Sequence, residues 1–341
     1  MIDKVLLVGL GSIGSRHLRL IKQLLPSANI CVLRHLKNNV YNESNLLVVT
    51  EIEEAIQFKP DIAIICNPSS QHVSIAQKLA DAKVHLLIEK PISNETKGVS
   101  ELLATCKKNK VVLQIGYNLR FYASLIEFKK RIDNRSIGKL LSFRCEVGSY
   151  LPSWRPNCDY KDSVSAKKEL GGGVLLELSH EIDYINWIFG PIEWIIASLG
   201  KQSNLEIDVD DFALLILGLH SDKEKLEIKG TINMNFFRRD SIRECVAIGS
   251  EGTLKWDGIV GQVWRFDAIK NKWITEFRES IKADDSYREE LKHFLESINE
   301  KRYSITSGEE SLEVLRIVEA ARESELLGKK ISLKKFQGEL V

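Results

Sequence analysis

The stretch KVLLVGLGSIGSRHLRLI, residues 4–21, decides the fold of the N-terminal part of this chain. It opens with a continuous apolar run typical of a buried parallel strand, passes through glycines spaced as G-x-G-x-x-G, and continues with apolar residues at helical spacing. In such a turn the glycines permit the bend, the approach of a pyrophosphate and close packing of the helix, whose N-terminal N–H groups meet phosphate. The flanking strand and helix favour this interpretation over a glycine turn that binds nothing. The predicted dinucleotide contacts are Gly9, Gly11, Ser12, Ile13 and Gly14.

The residue expected to contact the ribose is basic rather than acidic. The second strand reads NICVL, residues 29–33. The position about 20 residues after the last glycine, where NAD-binding proteins usually carry Asp or Glu, falls near Arg34. A guanidinium is a planar fork of donors matched to phosphate oxygens, so Arg34 favours NADP over NAD, with His35 and Lys37 adding positive charge. The alternative is a solvated surface arginine, with NAD as the cofactor.

Length and composition indicate a two-domain enzyme. The chain has 341 residues, 44% of them hydrophobic and 28% charged, and its formal net charge is +1. That length exceeds what one hydrophobic core usually serves, and so small a net charge gives no field that would attract nucleic acid or acidic membranes. No stretch reaches the length of a membrane span, and the apolar run before the glycines is too short for a secretion signal. The six cysteines lack metal-ligand spacing, so we expect reduced thiols, no metal site and a cytoplasmic protein.

Strand and helix patterns alternate over residues 1–118 and predict a doubly wound parallel sheet. Such sheets bind ligands at the carboxyl ends of their strands, so the polar residues that follow each strand are candidates for chemistry. A plain turn, a capped helix or a salt-bridged surface lysine would explain the same residues without function. The candidates at three strand ends are Asn67, His72, Glu89, Lys90, Asn118 and Arg120.

A second polar cluster is predicted on a helix over residues 174–188, directly after the glycine run 171–173. Glu177, His180 and Asp183 recur there at three-residue steps, which would place them on one helical face. An imidazole beside carboxylates can carry acid–base chemistry, although a solvated or ion-paired stripe would look the same.

Together these motifs resemble the glucose-fructose oxidoreductase, inositol dehydrogenase and rhizopine-catabolism family, abbreviated Gfo/Idh/MocA. The resemblance implies an α/β chain with a Rossmann domain at residues 1–118. It further implies a substrate-binding and oligomerisation α/β domain at residues 119–341, built on a large, mostly antiparallel open sheet. The motifs that carry it are Gly9-x-Gly11-x-x-Gly14, Asn67-Pro68 with His72, Glu89-Lys90-Pro91, and Gly171-Gly172-Gly173 with Glu177, His180 and Asp183.

The resemblance makes His180 the leading catalytic candidate in an NAD(P)-dependent oxidoreductase. Oxidation of a secondary alcohol needs a base for the hydroxyl proton, which suits an imidazole, while the Lys90 ammonium would stabilise developing charge on the oxygen. Many family members place an aspartate four residues before this histidine, where the chain has Leu176. Either Glu177 or Asp183 is therefore expected to orient the ring.

A loop rich in aromatic and charged residues follows the first domain, and it suggests a sugar-type substrate. Trp154, Arg155 and Tyr160, together with Arg120, are the predicted substrate contacts, because aromatic faces pack on sugar rings and arginine binds carboxylate or phosphate. The alternative is a structural loop that the tryptophan anchors to the core. The expected substrate is a sugar, sugar acid, cyclitol or nucleotide-linked sugar.

Two other functions remain open at this point. The same fold could serve as a non-catalytic NADP-binding sensor or regulator, or as a reductase of a small non-sugar carbonyl. Strand patterns near residues 211–219, 225–235, 242–248 and 252–256 predict a sheet whose outer face pairs with a second subunit, giving a homodimer or homotetramer. Helices are predicted over residues 286–300 and 309–327.

Overall fold

The computed structural model describes residues 2–34, 46–156, 158–221, 226–280 and 282–336, and His35 and Lys37 lie outside them. The contacts divide the chain into two compact units. The first unit comprises Met1–Asn118 and Ser286–Leu312, and the second comprises Leu119–Asp285 and Glu313–Val341.

Within the described residues the strands form two sheets, one in each unit. In chain order the strands are β1 (Lys4–Val8), β2 (Asn29–Leu33), β3 (Leu46–Val49), β4 (Ile62–Ile65), β5 (His85–Glu89), β6 (Leu113–Gly116), β7 (Leu140–Gly148), β8 (Ile192–Gly200), β9 (Phe212–Ser221), β10 (Leu226–Asn235), β11 (Ile242–Gly249), β12 (Thr253–Asp257), β13 (Gln262–Asp267), β14 (Lys272–Arg278) and β15 (Ile331–Ser332).

Helices connect and cover these strands. In chain order they are α1 (Ser12–Leu24), α2 (Ile52–Gln57), α3 (His72–Asp81), α4 (Val99–Asn109), α5 (Ala123–Asp133), α6 (Val174–Glu177), α7 (His180–Phe189), α8 (Asp285–Glu300) and α9 (Gly308–Leu327). Among the described residues, none of them combines the length and the apolar composition that crossing a membrane requires.

The first unit contains a six-stranded parallel sheet in the order β3-β2-β1-β4-β5-β6. This is the strand order of a Rossmann fold, and it confirms the fold predicted from the alternating pattern. The central strands are buried along their length, as the continuous apolar runs at Val5–Val8 and Ile62–Ile65 require.

Helix α8 belongs to the first unit, whereas the predicted boundary at residue 118 puts residues 286–300 in the second domain. Its residues Leu291 and Phe294 are buried in the same apolar cluster as Leu18 and Ile21 of α1. The buried Gln114 of β6 also donates from Nε2 to the Glu290 carbonyl oxygen over 2.8 Å. An amphipathic pattern indicates that a helix has a buried face, but it does not indicate which of two hydrophobic cores that face packs against. Only the folded chain therefore assigns α8 to the first unit.

The second unit is built on a nine-stranded sheet in the order β14-β13-β12-β11-β7-β10-β9-β8-β15. Every pairing is antiparallel except that of β7 with β10, so the predicted large, mostly antiparallel sheet is confirmed. On one face, Phe189 of α7 stacks on Phe143 of β7 with ring centroids 4.6 Å apart. The other face exposes Ile196, Ile216 and Ile248 by 37%, 39% and 43%.

The single helix predicted over residues 174–188 is wrong, because the structure has two helices there. Helix α6 ends at Glu177 and α7 begins at His180. Between them Leu178 leaves the helical region at φ −101° and ψ 25°. Hydrogen bonds from Ser179 N to Leu176 O and from Glu181 N to Leu178 O span three residues instead of four. Glu177 and His180 therefore do not share the face of one continuous helix.

Candidate active site

The glycine turn after β1 has the geometry that the motif requires. Gly9 adopts φ +85°, and a Cβ there would lie 3.0 Å from the Asn67 backbone nitrogen. A Cβ on Gly14 would lie 2.3 Å from the Gly9 carbonyl oxygen, so only glycine lets α1 start this close to the strand. A Cβ on Gly11 would meet nothing within 4 Å. Space therefore opens beside Gly11, where α1 begins.

This turn fits a dinucleotide pyrophosphate. Helix α1 begins at Ser12 with no side-chain cap and no acidic residue in its first turn. The first N–H groups of the helix, including those of Ser12 and Ile13, are oriented for an anion. The Oδ1 atom of Asn67 is buried without a hydrogen-bond partner, while its Nδ2 donates to Gln71 Oε1 over 3.1 Å. A bound donor group would satisfy that oxygen.

Arg34 is the first residue after β2, at the position predicted for the residue that contacts the ribose. Its backbone N–H donates to Val49 O of β3 over 3.1 Å, and the neighbouring Leu33 carbonyl accepts from Gly9 N over 2.9 Å. The guanidinium therefore belongs to a residue whose backbone lies beside the glycine turn.

His72 connects two of the predicted cofactor loops through its ring. Its Nε2 lies 2.8 Å from Asn67 O and its Nδ1 lies 2.9 Å from Pro91 O, and the residue is 1% exposed. Burial lowers the pKa of His72, although both carbonyl oxygens oppose that shift. A neutral ring carries one N–H and can donate to one carbonyl at a time. Both ring nitrogens of His72 therefore face backbone oxygens of the loops that carry Asn67 and Pro91.

Glu89 is the last residue of β5, and its buried side chain bonds the first residue of the turn that begins at Lys90, called the Lys90 turn below. Its Oε1 accepts from His17 Nε2 over 2.7 Å, and its Oε2 accepts from the Lys90 backbone N–H over 3.3 Å. On β6, a Cβ at Gly116 would lie only 3.0 Å from Oε2. The Glu89 carboxylate is therefore bonded within the protein, while the partly exposed Lys90 follows it in the chain.

A second carboxyl group in this region, that of Glu290, is absent from the candidates predicted from the sequence. Glu290 of α8 is fully buried, and neither of its carboxyl oxygens has a hydrogen-bond partner. One ligand-type atom from each of His17, Glu89 and Glu290 lies within 4.8 Å of the others. Burial, followed by the charge of Glu89, raises the pKa of Glu290 well above its usual value. The one sequence signal that could have pointed to Glu290 is its position directly before Leu291, an apolar residue of the same predicted helix.

Asn118 anchors the junction between β6 and α8. Its Nδ2 donates to Ser286 Oγ over 2.9 Å, and the residue is 4% exposed. This contact lies within the first unit, and it gives the predicted cofactor residue a structural partner.

In the second unit, His180 stands at the first position of α7. The residue is 9% exposed, and its Nδ1 is buried without a hydrogen-bond partner. The backbone of the preceding glycine run requires glycine, because Gly171 and Gly173 adopt φ angles of +86° and +105°. A Cβ on Gly172 would lie 2.3 Å from Val164 O. The glycine run is therefore tightly packed where it leads into α6.

Asp183 and Arg120 are bonded to each other. Arg120 Nε donates to Asp183 Oδ2 over 2.9 Å and its Nη2 donates to Oδ1 over 2.7 Å, with both side chains 1% exposed. The guanidinium also lies 5.5 Å from the Trp187 ring centroid. Arg120 and Asp183, the predicted substrate contact and the predicted catalytic carboxylate, therefore form a buried ion pair.

The aromatic loop is anchored by the side chains predicted to bind substrate. Trp154 Nε1 donates to Ser149 Oγ over 2.6 Å, and its ring meets Phe236 edge-on at 5.3 Å. The Tyr160 hydroxyl accepts from Glu206 N over 3.2 Å. Arg155 is exposed between them. Trp154 and Tyr160 therefore make the contacts expected of a structural loop, whereas the Arg155 side chain is exposed.

Comparisons with known proteins match both parts of the chain. Residues 4–117 match the Gfo/Idh/MocA model described as an oxidoreductase family with an NAD-binding Rossmann fold, and residues 129–333 match its C-terminal alpha/beta domain. The chain is 26% identical to an uncharacterised oxidoreductase, YrbE, of Bacillus subtilis, covering 96% of this chain and 95% of that one. It is 25% identical to a myo-inositol 2-dehydrogenase of Thermotoga maritima, covering 93% and 94%. A levoglucosan dehydrogenase solved with NADH has the same fold, with a TM-score of 0.84, 18% identity and coverage of 97% and 99%.

Proposed function

The chain belongs to the Gfo/Idh/MocA oxidoreductase family, and from this premise we propose that it transfers hydride between a nicotinamide cofactor and a secondary hydroxyl or ketone of a sugar-type substrate, with NADP preferred over NAD. The observation that carries the proposal is the glycine turn. Its uncapped helix N-terminus, the space beside Gly11 and the unpartnered Asn67 oxygen together fit a dinucleotide. The bound nicotinamide would supply the hydride chemistry, and the protein would supply binding, orientation and proton transfer.

The cofactor would be held by the first unit. The N–H groups of Ser12 and Ile13 would bind the pyrophosphate, and Arg34 would bind a 2′-phosphate through its planar fork of donors. Asn67 would offer its Oδ1 to a donor group of the cofactor. His72 and Glu89 would act indirectly, because their polar atoms already hold the loops that carry Asn67 and Lys90.

Proton transfer would be carried by His180 and Lys90. His180 stands at the first position of α7, and an imidazole suits a base that takes the hydroxyl proton during oxidation and returns it during reduction. The Lys90 ammonium would donate a hydrogen bond to the same substrate oxygen and stabilise negative charge as it develops. Either Glu177 or Asp183 would orient His180, and Asp183 is itself held by Arg120, which donates to both of its oxygens.

The second unit would bind the substrate and form the oligomer. The relatives named for myo-inositol and levoglucosan act on polyhydroxylated rings, which supports a sugar, sugar acid, cyclitol or nucleotide-linked sugar here. The exposed Arg155 would bind a carboxylate or phosphate of such a substrate. The exposed Ile196, Ile216 and Ile248 on the outer sheet face support a homodimer or homotetramer formed through that face.

The test is a cofactor and substrate screen on the purified protein. NADPH and NADH are titrated by nicotinamide fluorescence, and the change in nicotinamide absorbance is then followed with a panel of cyclitols, sugars, sugar acids and nucleotide sugars. We expect NADPH to bind more tightly and at least one substrate class to turn over. Turnover should be lost in Lys90→Met and His180→Asn, but kept in the matched surface variants Lys107→Met and His220→Asn. Cofactor binding without turnover across the panel would favour the sensor function instead.

A further inference from the structure

The group of His17, Glu89 and Glu290 lies beneath both elements proposed to hold the cofactor. His17 lies on α1, the helix that starts at the glycine turn, and Glu89 directly precedes Lys90. Glu290 approaches from α8, which packs on the same side as α1. Exposure is 0% for His17 and Glu290 and 8% for Glu89. The three side chains therefore join the glycine-turn helix to the Lys90 turn from inside the core.

The hydrogen bonds distinguish the two carboxyl groups of the cluster. Glu89 Oε1 lies 2.7 Å from His17 Nε2, and Glu89 Oε2 accepts from the Lys90 backbone N–H over 3.3 Å. Both carboxyl oxygens of Glu290 are buried without a hydrogen-bond partner. Glu89 therefore has hydrogen-bond partners for its carboxyl group, and Glu290 has none.

Ionising Glu89 and Glu290 together would be costly. Both carboxyl oxygens of Glu290 are buried without a donor, and an oxygen of Glu89 lies within 4.8 Å. Two unscreened negative charges at that distance repel each other, and an ionised carboxylate with no donor is costly to bury. A neutral carboxyl instead carries an O–H, which the neighbouring carboxylate attracts. Geometry and charge thus favour a proton on Glu290.

We propose that His17, Glu89 and Glu290 form a positioning cluster in which Glu290 is kept as a neutral carboxylic acid beside the ionised Glu89, and that this state aligns the Lys90 turn with the glycine-turn helix for cofactor binding. The cluster rests on the proposed function and adds a regulatory property to it. Loss of the Glu290 proton at alkaline pH places a second negative charge against Glu89 and disturbs the Lys90 turn.

Two titratable groups near the cluster, Cys66 and His72, stay neutral over the same pH range. Burial raises the pKa of the Cys66 thiol well above its usual range, with Glu89 and Glu290 adding to the effect, so this thiol stays neutral. Burial lowers the pKa of His72, which keeps that ring neutral over the same pH range. The Tyr287 ring meets His17 edge-on at 6.0 Å. Among the described residues, the titratable and charged groups that printed contacts place beside the cluster are Cys66, which follows β4, His72 of α3, Tyr287 of α8, Arg16 of α1, which lies over the Tyr287 ring, and Lys90, whose backbone N–H bonds Glu89.

The first experiment detects the proton directly on the full-length protein. The infrared carbonyl band of a neutral carboxylic acid is recorded near neutral pH, where exposed carboxyl groups are ionised. We expect the band in the wild type and in the matched control Glu289→Gln, whose residue is exposed on the same helix, and its loss in Glu290→Gln. Absence of the band from the wild type, or its persistence in Glu290→Gln, would overturn the proposal. So would a stoichiometric divalent cation found by elemental analysis and lost with Glu290→Gln.

The second experiment measures positioning. Glu290→Gln, a neutral isostere, should bind NADPH as the wild type does near neutral pH but should retain that affinity at alkaline pH, where the wild type loses it. His17→Leu should lower kcat/KM by roughly tenfold to 100-fold through misplacement of the reacting groups, and His17→Gln, which can still donate to Glu89, should recover part of that loss. An identical alkaline loss of affinity in wild type and Glu290→Gln would overturn the positioning role. A wild type that binds no nicotinamide cofactor would overturn the proposed function and this role with it, whereas failure of the infrared result alone overturns only this inference.

Discussion

Replacing Asp183 by alanine separates a structural from a catalytic role for this residue. The substitution would leave the Arg120 guanidinium, whose side chain is 1% exposed, without the carboxylate that accepts two of its N–H groups at 2.7 and 2.9 Å. Removing one partner of a buried ion pair typically costs about 3–5 kcal/mol, because the remaining charge stays buried and uncompensated. At about 2–4 °C per kcal/mol for a domain of this size, we expect Tm to fall by about 6–20 °C.

The assay is thermal and urea unfolding followed by circular dichroism, with kcat measured well below the melting temperature. Two variants calibrate the result. Asp133→Ala removes the exposed end of an ion pair with Lys129, and it should change the free energy of unfolding by no more than about 1 kcal/mol. The double variant Arg120→Met/Asp183→Leu removes both charges, and it should recover much of the stability lost in Asp183→Ala.

The opposite pattern would refute this reasoning. If Asp183→Ala melts like the wild type while kcat falls at saturating cofactor and substrate, the ion pair contributes little to stability. Asp183 would then act on His180 or on the substrate, as the sequence spacing alone suggested. If the double variant is as unstable as Asp183→Ala, the loss comes from packing around α7 rather than from an uncompensated charge.

Three further predictions follow from the same structure. Gly14→Ala places a Cβ 2.3 Å from the Gly9 carbonyl oxygen and should lower the free energy of unfolding by about 1–3 kcal/mol, as measured in urea. Gly11→Ala, whose Cβ has open space, should melt like the wild type and yet weaken cofactor binding. Equal melting of the two variants would contradict the packing argument. Arg34→Ala should reduce the preference for NADPH over NADH by about tenfold to 100-fold in fluorescence titrations, because a charge-assisted hydrogen bond contributes about 1.5–3 kcal/mol. An unchanged ratio of the NADPH and NADH affinities would mean that Arg34 is a solvated surface arginine. Burial raises the pKa of Glu290 in the folded protein, so above the usual glutamate pKa the folded state keeps a proton that the unfolded chain has released. The free energy of unfolding of the wild type should therefore fall relative to that of Glu290→Gln by about 1.4 kcal/mol per pH unit between the usual and the raised pKa. Parallel curves of unfolding free energy against pH for the two proteins would contradict this.

Much of the first unit could be predicted because its signals are local. The strand, glycine turn and helix over residues 4–21 follow one another in the chain, and their periodicities are read within a few residues. Arg34 was placed correctly at the end of β2 for the same reason. The break at Leu178 was missed, since residues 174–188 are apolar at helical spacing and no proline or glycine marks the break.

The sequence by itself determined the Rossmann fold and the motifs of the family, because these depend on local periodicity and on adjacent residues, and the family resemblance in turn implied the mostly antiparallel second sheet. Only the tertiary structure decided that Arg120 pairs with Asp183 across 63 positions and that His17 bonds Glu89 across 72. It also assigned α8 to the first unit and buried Glu290 beside Glu89. These pairings depend on which surfaces are removed from water together, and burial rather than residue type decides whether a carboxylate is solvated, paired or protonated.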